Sequence, residues 1–423
     1  MVSIIVEETA ELKGSIAAPP SKSYSHRCII AASLSKGKSL IASPLFCDDT
    51  YATIKACTAL GVSIKQADNS LEVVGPSQLK APRAAIDCGE SGSTIRFLAA
   101  VAALAKGKTV LTGSPGLLGR PIGPIVEALQ QLGVDCTSND GFPPVTVFGG
   151  GIRGGSASLV GDVSSQFVTG LLLACPMAER DTEIKLTTPL ESKPYVELTI
   201  DVIRRHGVKM QASKGLRRFT IPGGQQYSPG NHSVPGDYSS ASFLLVAAAI
   251  TGSRIRVENL QPDQPDIAII DILERMGADI NVSDGVVEVS GGSLRGVDID
   301  ARDIPDLVPP CTVLACFSSG TTRILHAGRL RIKESDRLAT LPSELRKMGA
   351  KIIEGEEGLT IRGPCELKGG RVSSSNDHRI AMACAVAALK ARDKTEILGV
   401  ECVDKSYPSF FEDLKKLGGD VHS

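Results

Sequence analysis

Eight basic residues in this sequence stand beside the predicted starts of helices or in short loops bounded by Gly or Pro. They are Lys22, Arg27, Arg96, Arg120, Lys333, Arg337, Arg379 and Lys405. One such residue is usually a solvated surface charge, but eight at matching places indicate a site for a ligand with several negative charges. Two carboxylates, Asp306 and Glu334, stand among them, although each taken alone would be an ordinary helix cap or first-turn acid.

A phrase that ends in glycine recurs six times at intervals of about 70 residues, a longer period than common solenoid repeats have. Its glycines are Gly61, Gly133, Gly207, Gly277, Gly349 and Gly418. Each follows a segment with helical periodicity, such as IVEALQQLG, and precedes an alternating apolar segment. This pattern predicts a helix that ends at the glycine and is followed by a strand.

A second phrase, in which a polar cluster opens an apolar helix of small residues, recurs in phase with the first. Examples are ESGSTIRFLAAVAAL and DYSSASFLLVAAAI. A short strand follows each such helix, and a hairpin with turn residues follows each glycine phrase. The unit therefore reads β-α-β-α-β-β, six times, and predicts an α/β protein with two domains of three units each.

The sixth unit lacks its hairpin, and the start of the chain resembles the missing piece. The motif ELKG at residues 11–14 also occurs at residues 366–369. We therefore predict a first domain of residues 17–233 and a second domain of residues 1–16 and 234–423, with the crossings in Pro- and Gly-rich stretches.

The polar clusters place six helix N-termini at equivalent positions of the repeat. Unpaired N–H groups and the helix dipole make such ends electropositive, so two domains facing each other would form an anion-binding cleft. The alternative is that the Ser and Asp residues of these clusters serve only as helix caps.

Composition excludes several classes of protein. The net charge of −1 and the 4% of aromatic residues, with no Trp, argue against nucleic-acid binding. The chain start resembles neither a signal nor a transit peptide, and no apolar run reaches the about 18 residues that span a bilayer. The 11 cysteines form no CxxC pair and the 6 histidines show no ligand spacing, so we expect reduced thiols, a cytoplasmic location, no membrane association and no metal.

Nine motifs, in order, closely resemble those of the 5-enolpyruvylshikimate-3-phosphate synthase family of enolpyruvyl transferases, over about residues 12–415. They are PPSKSYSHR (19–27), GESGSTIRFLAA (89–100), GRPIGP (119–124), GDVSSQFVTGLLLA (161–174), SKPYVELT (192–199), IPDL (304–307), RIKESDR (331–337), NDHRIAMA (376–383) and KSYPSFF (405–411). The resemblance implies two inside-out α/β domains, each of three βαβαββ units, with the active site in the interdomain cleft. It also implies a monomer whose partners are the small molecules shikimate 3-phosphate and phosphoenolpyruvate.

The same resemblance implies which residues bind each substrate. For shikimate 3-phosphate they are Lys22, Ser23, Arg27, Ser164, Ser165, Gln166, Ser192, Tyr195, Asp306 and Lys333. For phosphoenolpyruvate they are Lys22, Gly92, Arg120, Gln166, Arg337, Arg379 and Lys405. Arginine forks suit the carboxylate and phosphate of phosphoenolpyruvate, and Gly92 lets a ligand approach the backbone.

The implied reaction is addition followed by elimination, which requires two proton-transfer groups. The resemblance assigns Asp306 to the 5-hydroxyl, and Glu334 together with Lys22 to C3 and the leaving phosphate. No organic cofactor is expected, because the basic residues already supply positive charge. The family also contains targets of the inhibitor glyphosate, and its sensitive members carry Gly at position 92.

Three positions depart from the family pattern. Glu90 stands where Asn is common, Phe97 follows Arg96 where Pro is frequent, and Arg329 stands where Asn is often found. A carboxylate at position 90 needs a basic partner or a proton.

Two alternatives compete with this interpretation. The enolpyruvyl transferase of UDP-N-acetylglucosamine shares the fold, but it usually carries a reactive Cys in the loop that corresponds to Thr112–Gly123, where this chain has none. A non-catalytic repeat scaffold would have no reason to place Asp306 and Glu334 among basic residues.

Overall fold

The computed structural model describes residues 2–422 and divides the chain into two compact units. One unit is Pro20–Val234; the other combines Met1–Pro19 with Pro235–Ser423. The boundaries predicted from the repeat, before residues 17 and 234, lie close to this division.

Short strands alternate with helices along the chain. The strands are β1 (Ser3–Val6), β2 (Lys13–Ala17), β3 (Gly37–Ala42), β4 (Ser63–Ala67), β5 (Ser70–Gly75), β6 (Ile86–Asp87), β7 (Gly107–Thr112), β8 (Asp135–Asn139), β9 (Phe142–Gly149), β10 (Gly155–Leu159), β11 (Thr182–Leu186), β12 (Gln211–Ala212), β13 (Arg218–Ile221), β14 (Asn231–Ser233), β15 (Arg254–Glu258), β16 (Asp279–Ser283), β17 (Val286–Ser290), β18 (Asp298–Asp300), β19 (Gly320–Leu325), β20 (Ile352–Glu354), β21 (Leu359–Gly363), β22 (Arg371–Ser373), β23 (Thr395–Leu398) and β24 (Val421–His422).

The helices are α1 (Lys22–Leu34), α2 (Asp48–Ala59), α3 (Gly92–Val101), α4 (Pro115–Leu118), α5 (Gly123–Gln131), α6 (Ser165–Ala174), α7 (Lys193–Arg205), α8 (Tyr238–Thr251), α9 (Ile269–Met276), α10 (Val308–Cys316), α11 (Arg337–Lys347), α12 (His378–Ala388) and α13 (Phe410–Lys416). Short 3₁₀ turns cover Ala102–Leu104, Cys175–Met177, Pro305–Leu307, Gly328–Ile332 and Val400–Lys405.

The strands of residues 2–422 form six four-stranded sheets that share one topology. The orders are β14-β3-β5-β4, β6-β7-β9-β8 and β10-β11-β13-β12 in one unit, and β2-β15-β17-β16, β18-β19-β21-β20 and β22-β23-β1-β24 in the other. In every sheet the first two strands are parallel and the other neighbours are antiparallel. The predicted α/β class with six βαβαββ units is confirmed.

The two chain crossings exchange the first strands of two repeats. Strand β2 precedes α1 but pairs with β15, while β14 precedes α8 but pairs with β3. The chain start was predicted to supply the hairpin of the sixth repeat. Only β1 does so, by pairing with both β23 and β24, whereas β2 belongs to the sheet of the fourth repeat.

Six helices, α1, α3, α6, α8, α10 and α12, are buried along almost their whole length. Their small and apolar residues surround the helix axis instead of forming one stripe, and such helices are stable only when covered on all sides. The strands lie outside them with alternately buried and exposed residues, as in β15 and β19. Consequently, the groups of these helices that can meet a ligand are at their polar N-terminal ends.

Residues with left-handed backbone conformations stand where the more exposed helices end and where the hairpins turn. Helix α9 ends at Gly277, whose φ of 98° is in the left-handed region that glycine tolerates. Asp284 and Gly285, at φ of 49° and 75°, connect β16 to β17 by the type of two-residue turn that hairpins favour. Within residues 2–422, no helix combines the length and apolarity needed to cross a membrane.

A buried histidine pair connects strand β14 to the end of helix α7. His232 Nε2 lies 2.8 Å from His206 Nε2, and His206 Nδ1 lies 2.7 Å from the carbonyl oxygen of Ser228. Burial, followed by the neighbouring His206 and Arg205, lowers the pKa of His232 to about 4. Burial also lowers the pKa of His206.

We predict that this pair makes stability depend on pH. Unfolded histidine has a pKa of about 6.5, so between about pH 6.5 and about pH 4 the unfolded chain binds more protons than the folded chain. The stabilisation is fully present above pH 6.5 and is lost as pH falls, by about 3 kcal/mol for a shift of this size. Urea unfolding at several pH values should show a shallower pH dependence for His232→Asn than for wild type; equal slopes would contradict the prediction.

Candidate active site

Helix α1 brings a lysine and an aspartate together at its first turn. Ser21 caps the helix by accepting a hydrogen bond from the backbone N–H of Tyr24. Lys22, the first helical residue, donates from Nζ to Asp49 Oδ2 at 2.7 Å. Asp49 lies at the start of α2 and is mostly buried, so its carboxylate fixes the position of the Lys22 ammonium.

Arg27, one turn further along α1, is buried with a guanidinium that contacts neutral groups. Nε donates to Thr199 Oγ1 at 2.8 Å, and Nη2 donates to the carbonyl oxygen of Tyr195 at 3.0 Å. Nη1 donates to the carbonyl oxygen of Ser23 at 2.7 Å. The guanidinium carbon lies 5.2 Å from the ring centroid of Phe97, a cation–π distance. Burial lowers the pKa of Arg27 to about 10, which leaves a charged group whose hydrogen bonds go to neutral oxygen atoms.

The starts of α3 and α6 lie side by side. Ser164 caps α6 by accepting from the backbone N–H of Gln166 at 3.3 Å, and Ser165 is the first helical residue. The Gln166 side chain donates to Ser93 Oγ at 2.9 Å and accepts from Arg96 Nη1 at 2.8 Å. The predicted binding residues of these two helices therefore form one polar surface.

Gly92 lies at the centre of that surface. A Cβ atom at this position would lie 3.3 Å from Arg120 Nη1, 3.6 Å from Arg96 Nη1 and 3.8 Å from Gln166 Oε1. Two guanidinium groups and an amide thus converge on the backbone where α3 begins. Ser192, just before α7, is buried and has a left-handed φ of 55°.

In the other unit, the guanidinium of Arg337 is surrounded by three carboxylates. Nη1 donates to Asp306 Oδ1 at 3.0 Å and Nη2 donates to Glu334 Oε2 at 2.7 Å. Nε and Nη2 bind both oxygens of Asp377, at 2.8 and 3.1 Å. Burial opposes the charge of Arg337, but Asp377, Glu334 and Asp306 outweigh it and raise its pKa.

Asp306 also contacts two further cations. Arg379 Nη2 lies 3.2 Å from Asp306 Oδ2, and Lys333 Nζ lies 3.9 Å from Asp306 Oδ1. Burial alone would raise the pKa of Asp306, but Arg379, Lys333 and Arg337 together hold it well below its usual range. Burial lowers the pKa of Lys333 to about 8.

The remaining predicted residue of this unit, Lys405, is held at the end of a 3₁₀ turn. Its Nζ donates to the carbonyl oxygen of Asn376 at 2.7 Å. Asn376 has a left-handed φ of 58° and leads into Asp377, which caps α12 by accepting from the backbone N–H of Arg379. One backbone bend therefore connects Lys405 with Asp377 and Arg379.

Sequence reasoning did not assign the partners that orient these residues. Asp49 holds Lys22, Asp377 holds Arg337, and Ser239 Oγ accepts from Arg379 Nη2 at 2.6 Å. Asp377 stands in the NDHR motif two residues before Arg379, a residue of the predicted set, and that proximity could have identified it. Asp49 and Ser239 carried no comparable signal.

The arrangement can bind anions and transfer protons. Arginine and lysine side chains stand at helix starts in each unit, and three carboxylates share one buried guanidinium. The His, Cys, Asp and Glu side chains of residues 2–422 form no cluster of three or more placed to hold a metal ion.

The sequence model of the family described as EPSP synthase (3-phosphoshikimate 1-carboxyvinyltransferase) matches residues 6–414. This chain belongs to the EPSP synthase family. It is similar to the 3-phosphoshikimate 1-carboxyvinyltransferase of Methanocaldococcus jannaschii, with 43% identity covering 100% of this chain and 99% of the relative. The corresponding protein of Methanococcoides burtonii is 45% identical over 96% of each chain.

A solved structure has the same fold. The EPSP synthase of Acinetobacter baumannii superposes with a TM-score of 0.85 at 29% identity and covers 99% of each chain. The family and the fold predicted from the nine motifs are therefore confirmed.

We predict that Asp377→Asn strongly destabilises the unit that contains it. The substitution removes the negative charge of Asp377 from beside the buried guanidinium of Arg337. Removing one partner of a buried ion pair typically lowers the free energy of unfolding by about 3 to 5 kcal/mol. Asp298→Asn is the matched control, because Asp298 pairs with Arg323 through two similar hydrogen bonds at an exposed position. Urea unfolding should show a much smaller loss for the control; similar losses would contradict the prediction.

Proposed function

We propose that this protein transfers the enolpyruvyl group of phosphoenolpyruvate to the 5-hydroxyl of shikimate 3-phosphate and releases phosphate, a step toward chorismate and the aromatic amino acids. Membership of the EPSP synthase family supports this proposal. So do the names of relatives that are 43% and 45% identical over nearly the whole chain.

The observation that carries the proposal is the shared guanidinium of Arg337. Asp306 and Glu334, the two expected proton-transfer groups, bind the same buried cation at 3.0 and 2.7 Å. The guanidinium of Arg337 holds these two carboxylates in place, with Arg379 and Lys333 nearby. Fixed carboxylates among cations suit a reaction in which protons are transferred to and from an anionic substrate.

The proposed reaction has two stages. The 5-hydroxyl attacks C2 of phosphoenolpyruvate while C3 takes a proton, which gives a tetrahedral ketal phosphate. C3 then loses a proton as phosphate leaves and the double bond forms again. Asp306 accepts the proton of the 5-hydroxyl. Glu334 and Lys22 together carry out the proton transfers at C3 and to the leaving phosphate.

The charges around Asp306 couple binding to proton transfer. In the absence of substrate, Arg379, Lys333 and Arg337 hold the pKa of Asp306 well below its usual range, which makes it a weak base. A bound phosphate or carboxylate shares the charge of these cations and adds a negative charge, so the pKa of Asp306 rises. Asp306 therefore becomes basic when the substrates are in place.

The proposed binding residues are distributed over both units. Lys22, Ser23, Arg27, Ser164, Ser165, Gln166, Ser192, Tyr195, Asp306 and Lys333 bind shikimate 3-phosphate. Lys22, Gly92, Arg120, Gln166, Arg337, Arg379 and Lys405 bind phosphoenolpyruvate. The buried guanidinium of Arg27, with neutral acceptors around it, supports the assignment of an anion to its neighbourhood.

The proposal needs no metal or organic cofactor, because side-chain cations provide the charge stabilisation. We also propose a cytoplasmic monomer. Eleven buried free thiols are typical of a protein from a reducing compartment.

The deciding experiment measures phosphate release from phosphoenolpyruvate with and without shikimate 3-phosphate. Release that requires shikimate 3-phosphate supports the proposal. Release that requires UDP-N-acetylglucosamine instead would identify the other enolpyruvyl transferase reaction, and release with neither acceptor would contradict both.

For Asp306→Asn we predict at least about a hundredfold loss of kcat, because the change removes a proton acceptor while keeping the shape of the side chain. Calorimetry should show that shikimate 3-phosphate still binds. Asp300→Asn, an exposed carboxylate on β18, serves as the matched control and should retain activity. Near-normal turnover of Asp306→Asn would show that another group accepts the proton.

We also predict that glyphosate inhibits competitively with phosphoenolpyruvate and that Gly92→Ala weakens this inhibition by about tenfold or more. The new methyl group would lie 3.3 Å from Arg120 Nη1, so it would intrude on a longer ligand before a shorter one. Gly119→Ala is the control, since its Cβ would meet only the Gly116 carbonyl oxygen, at 4.0 Å. Inhibition constants measured at several phosphoenolpyruvate concentrations decide the matter; equal inhibition of wild type and Gly92→Ala would refute the role of Gly92.

A further inference from the structure

Glu90 is held beside a predicted anion-binding arginine. Its Oε2 lies 3.7 Å from Arg120 Nη2, and its carbonyl oxygen accepts from Arg120 Nη1 at 3.4 Å. Both side chains are largely buried, at 19% and 7% exposure, so solvent screens their attraction only in part. The carboxylate of Glu90 therefore partly neutralises the charge of Arg120.

Gly116 provides the space in which this carboxylate rests. A Cβ atom on Gly116 would lie 2.7 Å from Glu90 Oε2, closer than a real contact allows. Gly116 lies in α4 and does not have a positive φ, so its backbone conformation does not require glycine. The missing side chain matters because it lets Glu90 reach Arg120.

The same arginine faces the start of α3. A Cβ on Gly92 would lie 3.3 Å from Arg120 Nη1, 3.6 Å from Arg96 Nη1 and 3.8 Å from Gln166 Oε1. An anion bound there by Arg120 would come under the negative charge of Glu90. Binding must then share or break the Glu90–Arg120 pair, and the cost rises with the charge of the ligand.

We propose that Glu90 is a specificity-determining residue, whose carboxylate competes with the phosphate and carboxylate of phosphoenolpyruvate for Arg120 and so weakens their binding. This proposal rests on the proposed function, since it concerns the same substrate. It assigns Glu90 a role in setting the KM for phosphoenolpyruvate and in discriminating against more highly charged ligands.

The first test compares Glu90→Gln, which removes the charge and keeps the shape, with Glu127→Gln, the same change at an exposed position on α5. We expect the KM for phosphoenolpyruvate to fall by about three- to tenfold in Glu90→Gln, with a smaller change in kcat. The difference between wild type and Glu90→Gln should shrink as salt is added, because the effect is electrostatic. A purely structural role of Glu90 would not produce this salt dependence.

The second test moves the carboxylate without changing any charge. Gly116→Ala should push Glu90 away from Arg120 and lower the KM in the same direction. In the double variant with Glu90→Gln, Gly116→Ala should have no further effect, since the two changes act on one interaction. Additive effects would show that Gly116 acts by another route.

The outcomes separate this proposal from the proposed function. If Glu90→Gln turns over substrate with an unchanged or raised KM for phosphoenolpyruvate, the role of Glu90 is overturned and the proposed function is not affected. Calorimetry that shows tighter phosphoenolpyruvate binding by Glu90→Gln, in a protein without turnover, supports the role of Glu90 and contradicts the proposed reaction. Failure of both proteins to bind phosphoenolpyruvate overturns both proposals.

Discussion

Helices that are apolar on every side must be covered on every side, and this constraint organises each unit of the protein. Helices α8, α10 and α12 pack against one another, and α3 packs against α6. The sheets are left outside, where one face of each meets the helices and the other meets solvent. Because the helix walls are used for packing, the chemistry is confined to the helix ends, and capping residues such as Ser164 and Asp377 stand next to binding residues.

The second consequence of this burial concerns charge. The buried guanidinium of Arg337 is stabilised by the carboxylates around it, those of Asp306, Glu334 and Asp377. Asp377 holds the arginine with both oxygens, which leaves Asp306 and Glu334 bound through one oxygen each. One carboxylate therefore fixes the cation, and the other two are the ones whose contacts a substrate can replace.

Much of this could be predicted from the sequence, because it is local or repeated. The glycine phrases marked where helices end, the polar clusters marked where buried helices begin, and nine motifs indicated the candidate site residues, whose roles stay a prediction. The pairings could not be predicted, since they join positions far apart: Lys22 with Asp49, Arg379 with Ser239, Glu90 with Arg120. Tertiary packing selects such partners, and nothing in the surrounding sequence distinguishes Asp49 from Asp48. The exchange of β2 and β14 escaped prediction for the same reason, because each strand pairs with a partner about 190 to 240 residues away in the sequence.

That exchange has a consequence for the order in which the protein can be assembled during synthesis. The ribosome delivers β1 and β2 before the other described strands, yet β2 pairs with Arg254–Glu258 and β1 pairs with strands that end at Leu398 and His422. The unit Pro20–Val234 has all of its strands once β14 has emerged, so it can fold while the rest is still being made. Strand β2 can pair once β15 has emerged, whereas β1 stays unpaired until β23 and β24 have appeared, so it joins the second unit through contacts between positions far apart in the chain.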